Sequence, residues 1–446
     1  MAGPSAARKA AFDILLAVER CRAHSDDLLR GRAVERLAQA DRNLATALVL
    51  GTLRWQIRLD HELRALLAKP NAKLDDEVRI ALRLGALQLR QMDRIPARAA
   101  IDESVELTLR AGHRFASRMV NAVLRRLAAT PPPQDWTADS AAELALAEAH
   151  PQWIVERWAS LYGLDAARII CGHGQKQPPT TLRVTDAEAE LVAAGVELSP
   201  GTLLNQTRMV AQGDAAATEA IRAGRVHAQD EGSQLVAELA GRGAAILDLC
   251  AAPGGKTLIL AERNLSSRIV ACEVSEPRLR RLEERLRGLG ERVECRHADA
   301  TEWAEEQAFD VVLADVPCSG TGTLGRNPEI RHRLREDDLA RHAERQKAIL
   351  RAALRAARPG GQVIYSTCSL EPEENDEVVR AVLAERADAT AVPLTGRIEE
   401  LRREGILTPE GARQLEACIT AEGWLRLLPG ALGTDGFFVA RMDRMR

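Results

Sequence analysis

The sequence predicts an α/β catalytic region on a mostly parallel sheet, preceded by an all-helical region and a small α+β module. Three observations carry this. From about residue 241, apolar runs at 244–249, 269–273, 292–296, 311–315, 362–366 and 436–441 alternate with loops and helical patterns, the rhythm of a parallel sheet covered on both faces. Residue types able to do chemistry cluster directly after these runs, where ligands of such sheets bind. The N-terminal third instead spaces its apolar residues three and four apart, which is helical.

In chain order, Ala11, Leu15 and Val18 mark one apolar stripe. Leu44, Leu48 and Leu53, then Val78, Leu82, Leu84 and Leu87, continue the same spacing. Asp41 and Asp75 read as N-caps, and Pro70 and Pro96 fall between helices. Pro131-Pro132-Pro133 ends this region, because consecutive prolines cannot continue a helix. Helical periodicity returns over 137–171, Pro178-Pro179 leads into a short strand at 181–184, and Val226-His227-Ala228-Gln229-Asp230 leads into a helix over 233–239. The boundaries expected from this reading are 1–134, 135–235 and 236–446.

The catalytic region holds two thiol motifs, with cysteines 50 positions apart. One is Ala314-Asp315-Val316-Pro317-Cys318-Ser319-Gly320 and the other Tyr365-Ser366-Thr367-Cys368-Ser369, each after a predicted strand. On one rim of a sheet, two thiols can work on one substrate. Upstream, Cys250-Ala251-Ala252-Pro253-Gly254-Gly255-Lys256-Thr257 follows another strand. Glycines let its backbone close on a ligand, and the helix behind it offers unpaired N–H groups. About 20 residues on, the next strand ends in Glu273, where such folds keep a ribose-binding carboxylate. A phosphate-binding P-loop would carry glycine where Cys250 stands, and a dinucleotide fingerprint would separate its glycines. There remains S-adenosylmethionine, with the loop at its amino-acid moiety, Glu273 at the ribose and Asp299 at the adenine edge. Asp248 reads either as a buried helix cap or as part of the site.

These residues resemble a known family. The Cys250-to-Lys256 loop, the Asp315-to-Gly320 motif with Gly322-Thr323, and Thr367-Cys368-Ser369 followed by Pro372, Glu374 and Asn375 are similar to the Sun/Fmu (RsmB) RNA (cytosine-5)-methyltransferases. The resemblance extends to His150-Pro151 with Trp153, Glu156-Arg157-Trp158, Thr181-Leu182-Arg183-Val184 and Asp435-Gly436-Phe437-Phe438. Asp93-Arg94-Ile95-Pro96 and Val120-Asn121-Ala122-Val123-Leu124-Arg125-Arg126 resemble the NusB-like helical domain that precedes the catalytic part in that family.

The resemblance implies a Rossmann-like class I methyltransferase domain, an all-α NusB-like RNA-binding domain and an RNA-guiding α+β module. It implies S-adenosyl-L-methionine as cofactor, held by Cys250, Ala251, Ala252, Pro253, Gly254, Gly255, Lys256, Glu273, Asp299 and Asp315. Cys368 would be the nucleophile that adds to C6 of cytosine, Cys318 would assist product release, and Asp315 would meet the ring at N3. A thiolate at Cys368 needs a helix N-terminus or a cationic neighbour. The implied partner is small-subunit (16S) ribosomal RNA before assembly. Transfer RNA as substrate, or a non-catalytic RNA-binding assembly factor, are the alternatives. DNA cytosine methyltransferases are similar at Pro317-Cys318, where that cysteine attacks, but have no counterpart of Cys368, which favours RNA. Arg326-Asn327-Pro328-Glu329 resembles the family's loop near the RNA, although Gly325 and His332 depart from its basic and aromatic pattern.

Charge agrees with this division. The net charge is −3, yet residues 1–134 carry 23 Lys/Arg against 15 Asp/Glu, a balance of +8 that leaves −11 for the rest. Such asymmetry suits a segment that meets phosphates. Hydrophobic content of 46% supports sizeable cores, and the reading expects no membrane span and no signal segment, since Arg8, Lys9, Asp13 and Glu19 punctuate the first helix. The eight cysteines lack Cys-x-x-Cys spacing, so no metal site is expected. Cys21, Cys171, Cys272, Cys295 and Cys418 read as small hydrophobes. Thiols needed in reduced form point to a reducing cytoplasm, and a monomer is expected.

Overall fold

A computed structural model describes residues 3–20, 23–132 and 138–445. Cys21, Pro133 and the expected boundary at 134/135 lie outside the described residues. The chain forms two compact units, Met1–Gln177 with Leu324–Arg333, and Pro178–Thr323 with Leu334–Arg446.

The first unit is helical. Helices Ala6–Glu19, Gln39–Leu66, Asp76–Gln91, Ala97–Arg110 and Ala116–Ala129 turn Leu15, Leu48, Leu84, Leu87 and Leu124 into one core. Asp75 holds the N-cap position but makes no capping bond; its carboxylate lies 3.3 Å from His113 Nδ1 instead. Asp41 is not a cap. Gln39–Leu66 starts after Ala38, so Asp41 falls in the first turn, where a carboxylate still favours the positive end of the helix dipole. The periodicity over 137–171 resolves into Ala141–Ala147, Gln152–Tyr162 and Leu164–Gln175, the first closed by a reciprocal Ser140–Glu143 capping box.

Leu324–Arg333 also belongs to this unit. Arg331 is buried, and its guanidinium donates to the carbonyls of Arg54, Ala149, Gly174 and Leu324. Burial lowers this guanidinium to about 9. Glu329 is buried too, accepting from the Ser25 N–H and hydroxyl at 3.1 and 2.9 Å. Arg333 donates to the carbonyls of Val18 and Ala23.

The second unit holds two sheets. The smaller comprises β1 (Thr181–Arg183), β2 (Glu197–Pro200), β3 (Thr207–Gln212) and β4 (His227–Ala228), antiparallel in the order β2-β3-β1-β4. The larger comprises β5 (Ala245–Asp248), β6 (Arg268–Glu273), β7 (Val293–His297), β8 (Phe309–Asp315), β9 (Ala357–Thr367), β10 (Ala389–Val392), β11 (Leu425–Leu427) and β12 (Phe437–Arg444). Its order is β10-β12-β9-β8-β5-β6-β7, with β11 on β12. Strands β5 to β9 are parallel, while β10, β11 and β12 form an antiparallel edge. The six anticipated strands are present within a few residues; β10 and β11 were not anticipated.

Strand order reverses between β5 and β8, which makes a crevice at their carboxyl ends. Buried Arg183 on β1 pairs with Glu238 and Glu262 at 2.8 Å each, and Arg263 reaches Glu238 at 2.9 Å. These bonds anchor the small sheet on helices Glu231–Leu239 and Gly255–Arg263, which flank the large one. Among the described residues, no helix is long and apolar enough to cross a membrane.

Candidate active site

Every parallel strand of the large sheet delivers a candidate residue at its carboxyl end. Strand β5 ends at Asp248 before the glycine loop, β6 at Glu273, β7 just before Asp299, β8 at Asp315 before Cys318, and β9 at Thr367 before Cys368. Parallel pairing brings these ends to one rim.

The glycine loop turns back from β5 because Gly254 adopts φ 95°, a left-handed conformation open to glycine. Its N–H donates to the Ala251 carbonyl at 2.7 Å. Gly255 then opens the helix, and a Cβ there would lie 2.9 Å from Gln229 Oε1. Gln229, Ser233, Asp248, Cys250, Lys256 and Asp315 line one cleft. Two oxygens in it, Asp248 Oδ1 and Gln229 Oε1, are buried without a hydrogen-bond partner. Buried acceptors normally find a donor, so this pair suits a ligand that brings N–H or O–H groups, such as the amino-acid end of S-adenosylmethionine. The other Asp248 oxygen accepts from Thr257 Oγ1 at 2.8 Å, and burial pushes this carboxyl up to about 7. Burial likewise raises the Cys250 thiol well above its ordinary range, leaving it a neutral wall of the cleft.

Glu273 is buried, with Oε1 accepting from the Ser275 N–H at 2.8 Å and Oε2 3.5 Å from Arg278. Asp299 is exposed and lines a second depression with His297, Ala298 and Trp303. Its Oδ1 accepts from the Thr301 N–H and hydroxyl at 2.9 and 2.8 Å, and the backbone bond above all holds its carboxyl below the ordinary range. Strand β6, which carries Glu273, runs between the strands that end at the two depressions.

The thiols meet. Cys318 Sγ and Cys368 Sγ lie 3.4 Å apart. The turns bearing them are sewn together: the Gly322 N–H donates to the Cys368 carbonyl at 2.8 Å, and the Leu370 N–H to Thr321 Oγ1 at 2.9 Å. Gly322 is required by this approach, since a Cβ would fall 2.6 Å from the Gly436 carbonyl oxygen and 2.8 Å from that of Cys368. Beside the thiols, Lys256 Nζ lies 2.7 Å from Asp315 Oδ2, while Asp315 Oδ1 accepts from the Ser366 hydroxyl at 2.6 Å. Burial alone would lower the Lys256 ammonium; Asp315 outweighs it, and the net shift is upward, with Cys368 also contributing. Lys256 is thus a cationic neighbour of Cys368. The Cys318 thiol is raised well above its ordinary range, first by its hydrogen bond to Cys368 and then by burial.

A sequence profile described as 16S rRNA methyltransferase RsmB/F matches residues 239–443. Profiles of the NusB family and of an RsmF/B-like ferredoxin-like domain match residues 5–129 and 150–222. Over 456 residues the chain is 35% identical to the probable ribosomal RNA small subunit methyltransferase B of Bacillus subtilis (strain 168), covering 98% of each. The chain belongs to the RsmB/F family. The ribosomal RNA small subunit methyltransferase B of Pseudomonas putida is 33% identical over 427 residues, covering 92% of each. The crystal structure of PH0851 matches with a TM-score of 0.79 over 100% of both chains at 24% identity, a likeness of fold.

The structure thus gathers the glycine loop, Asp315, Cys318 and Cys368, and sets Asp299 apart in an exposed turn. Sequence reasoning passed over Gln229, Ser366 and the bonds of Glu374. The Gln229 signal is faint: a polar residue just before the Asp230 cap of a helix. Of the cysteines read as small hydrophobes, Cys171 and Cys272 are buried, and Cys295 and Cys418 are partly so.

Proposed function

We propose that this chain transfers a methyl group from S-adenosyl-L-methionine to C5 of a cytosine in small-subunit ribosomal RNA. The observation that carries the reading is the pair of thiols 3.4 Å apart beside the Lys256–Asp315 ion pair. The names of the relatives favour ribosomal over transfer RNA. A purely RNA-binding factor has no use for two half-buried, facing thiols next to a cleft with orphaned acceptors. Residues 1–134 and 135–235 serve this activity as RNA-binding and RNA-guiding parts, and 236–446 as the catalytic part.

When bound, the cofactor supplies an electrophilic methyl group on a sulfonium; Asp248, Gln229 and the glycine loop hold its amino-acid end, Glu273 its ribose and Asp299 its adenine edge. Cys368, as thiolate, bonds through Sγ to C6 of the cytosine, and the C5–C6 π electrons become available at C5 to form the new C–CH3 bond as the bond from methyl to the departing sulfonium breaks, its electron pair going to that sulfur. Covalent addition replaces one hard step by two easier ones. The Lys256–Asp315 pair keeps a proton where N3 gains electron density during addition. A base then takes the proton from C5, the C5=C6 bond reforms, and the Cys368–C6 bond breaks with its electrons returning to sulfur. Cys318, in contact with Cys368, assists that release. A cytosine inside a stem must first leave the stack.

The test is denaturing electrophoresis of Cys318→Ala, with Cys368 intact, after incubation with unmodified ribosomal RNA and S-adenosylmethionine. A slow-migrating protein–RNA species is expected, and digestion locates its cytosine. Absence of the species while the wild type incorporates labelled methyl overturns the thiol roles; absence of both favours RNA binding without catalysis.

A further inference from the structure

Glu374 sits six positions after Cys368 in a stretch that also holds Glu371, Glu373 and Glu377, yet it is completely buried. Its carboxyl accepts from the Ser319 N–H at 2.8 Å, from the Ser319 and Ser369 hydroxyls, and from Gln346 Nε2 at 3.0 Å. The pattern is all acceptance, that of a carboxylate. Ser319 follows Cys318 and Ser369 follows Cys368, so one side chain grips the neighbours of both thiols. Asn375 adds a second grip on the Cys368 turn, with Oδ1 accepting from the Thr367 hydroxyl and Nδ2 donating to the Ser369 carbonyl at 2.9 Å.

We propose that Glu374 is a positioning residue that makes the thiol pair unequal, clamping the two turns through Ser319 and Ser369 while its buried charge disfavours a second negative charge at Cys318. This rests on reading the chain as a two-cysteine methyltransferase. Two identical thiols in contact give no reason for one to attack and the other to wait; an asymmetric field does. The charged groups are disposed accordingly. Lys256, paired with Asp315, acts on Cys368, whereas Glu374 acts on Cys318 and raises its thiol further, against the Gly320 N–H that favours the thiolate. Tyr365, also buried, donates its hydroxyl to the Glu374 carbonyl at 2.5 Å. His342 Nδ1 lies 3.7 Å from Glu374 Oε1 on the partly exposed side.

The experiment is alkylation of the full chain by iodoacetamide across pH 6–10, without RNA, with separate mass-spectrometric rates for the Cys318 and Cys368 peptides. In the wild type Cys368 is expected to react at least about tenfold faster at pH 8. Glu374→Gln keeps the shape and one acceptor oxygen while removing the charge; the Cys318 rate should rise by about fivefold or more, and its profile should move to lower pH. Glu374→Asp should restore the lag. The same Gln variant should lower kcat for methyl transfer about tenfold with KM for S-adenosylmethionine within about twofold. An unchanged Cys318 rate and profile in Glu374→Gln, or equal behaviour of the Asp and Gln variants, overturns the proposal. Should Glu374→Gln fail to fold, Ser369→Ala loosens the clamp but keeps the charge: Cys318 must stay slow, and a Cys318 rate equal to that of Cys368 overturns the role of charge. Because alkylation needs no RNA, selectivity without a cytosine adduct defeats only the methyltransfer reading, and an adduct without selectivity defeats only the role of Glu374.

Discussion

The ends of β8 and β9 and the end of β7 face the same rim but are built on different terms. At β8 and β9 the two turns hold each other by backbone bonds, with Gly322 against Cys368 and Gly436, around thiols in contact. At β7 the bracing is one-sided: the Ala298 N–H donates to the Glu273 carbonyl at 3.3 Å, but the Asp299 carboxylate bonds Thr301 two residues on and stays exposed. Bond-making needs reacting atoms fixed to within fractions of an ångström, which takes two turns cross-braced. Touching one edge of a ligand needs only a charge kept in place. The first region should therefore fail abruptly and the second by degrees.

The sharpest break is Cys368→Ala. Methyl incorporation should fall by at least about a thousandfold, with S-adenosylmethionine binding by calorimetry within about twofold; retained turnover would remove the mechanistic difference between the regions. Next is Asp248, at the end of β5, whose carboxyl is pushed up to about 7. The folded chain then keeps a proton that the unfolded chain releases between about pH 4 and pH 7, so the stability of the unliganded protein falls as pH rises through that window and levels off above it. Asp248→Asn should abolish the slope, which amounts to at most about 4 kcal/mol; parallel urea midpoints for both proteins across the window would refute it.

Gly322→Ala probes the bracing itself. Its Cβ meets only backbone, so relief requires moving the thiol turns, at about 1–3 kcal/mol, read as a lower denaturant midpoint with a loss of turnover. A variant with wild-type turnover would show that the turns are not braced. Asp299→Ala should be mildest: about fivefold weaker cofactor binding, on the order of 1 kcal/mol, with kcat nearly unchanged. Because its carboxyl is held below the ordinary range, the ratio of the two affinities should stay flat from pH 5 to 8. A ratio that varies across that range would mean the charge is not secured by its own turn.

What could be read from the sequence follows physical range. Buried parallel strands betray themselves by continuous apolar runs, and the thiol and glycine motifs by residue types that a strand end has no structural need for. Strands β10 and β11 span only Ala389–Val392 and Leu425–Leu427, too short for alternation to register. Asp41 missed its cap by a few residues because several positions at that boundary suit a helix start. Arg331, and the interior bonds of Glu374, which the sequence shows only as part of a motif, were hidden for a deeper reason. Each looks like one more surface charge, and only contacts with Arg54 and Ala149, or with Ser319, reveal it as interior.

The path of the chain between its two units bears on how the protein can be divided. It passes from one to the other after Gln177, after Thr323 and after Arg333. Cutting at the first crossing would not yield two tidy modules, because ten residues of the severed C-terminal piece, Leu324–Arg333, belong with the other. That piece would keep the Arg331 guanidinium and lose the Arg54, Ala149 and Gly174 carbonyls that solvate it. The helical part is therefore no detachable cassette, and gene fusions or truncations that treat it as one would strand part of its interior in water.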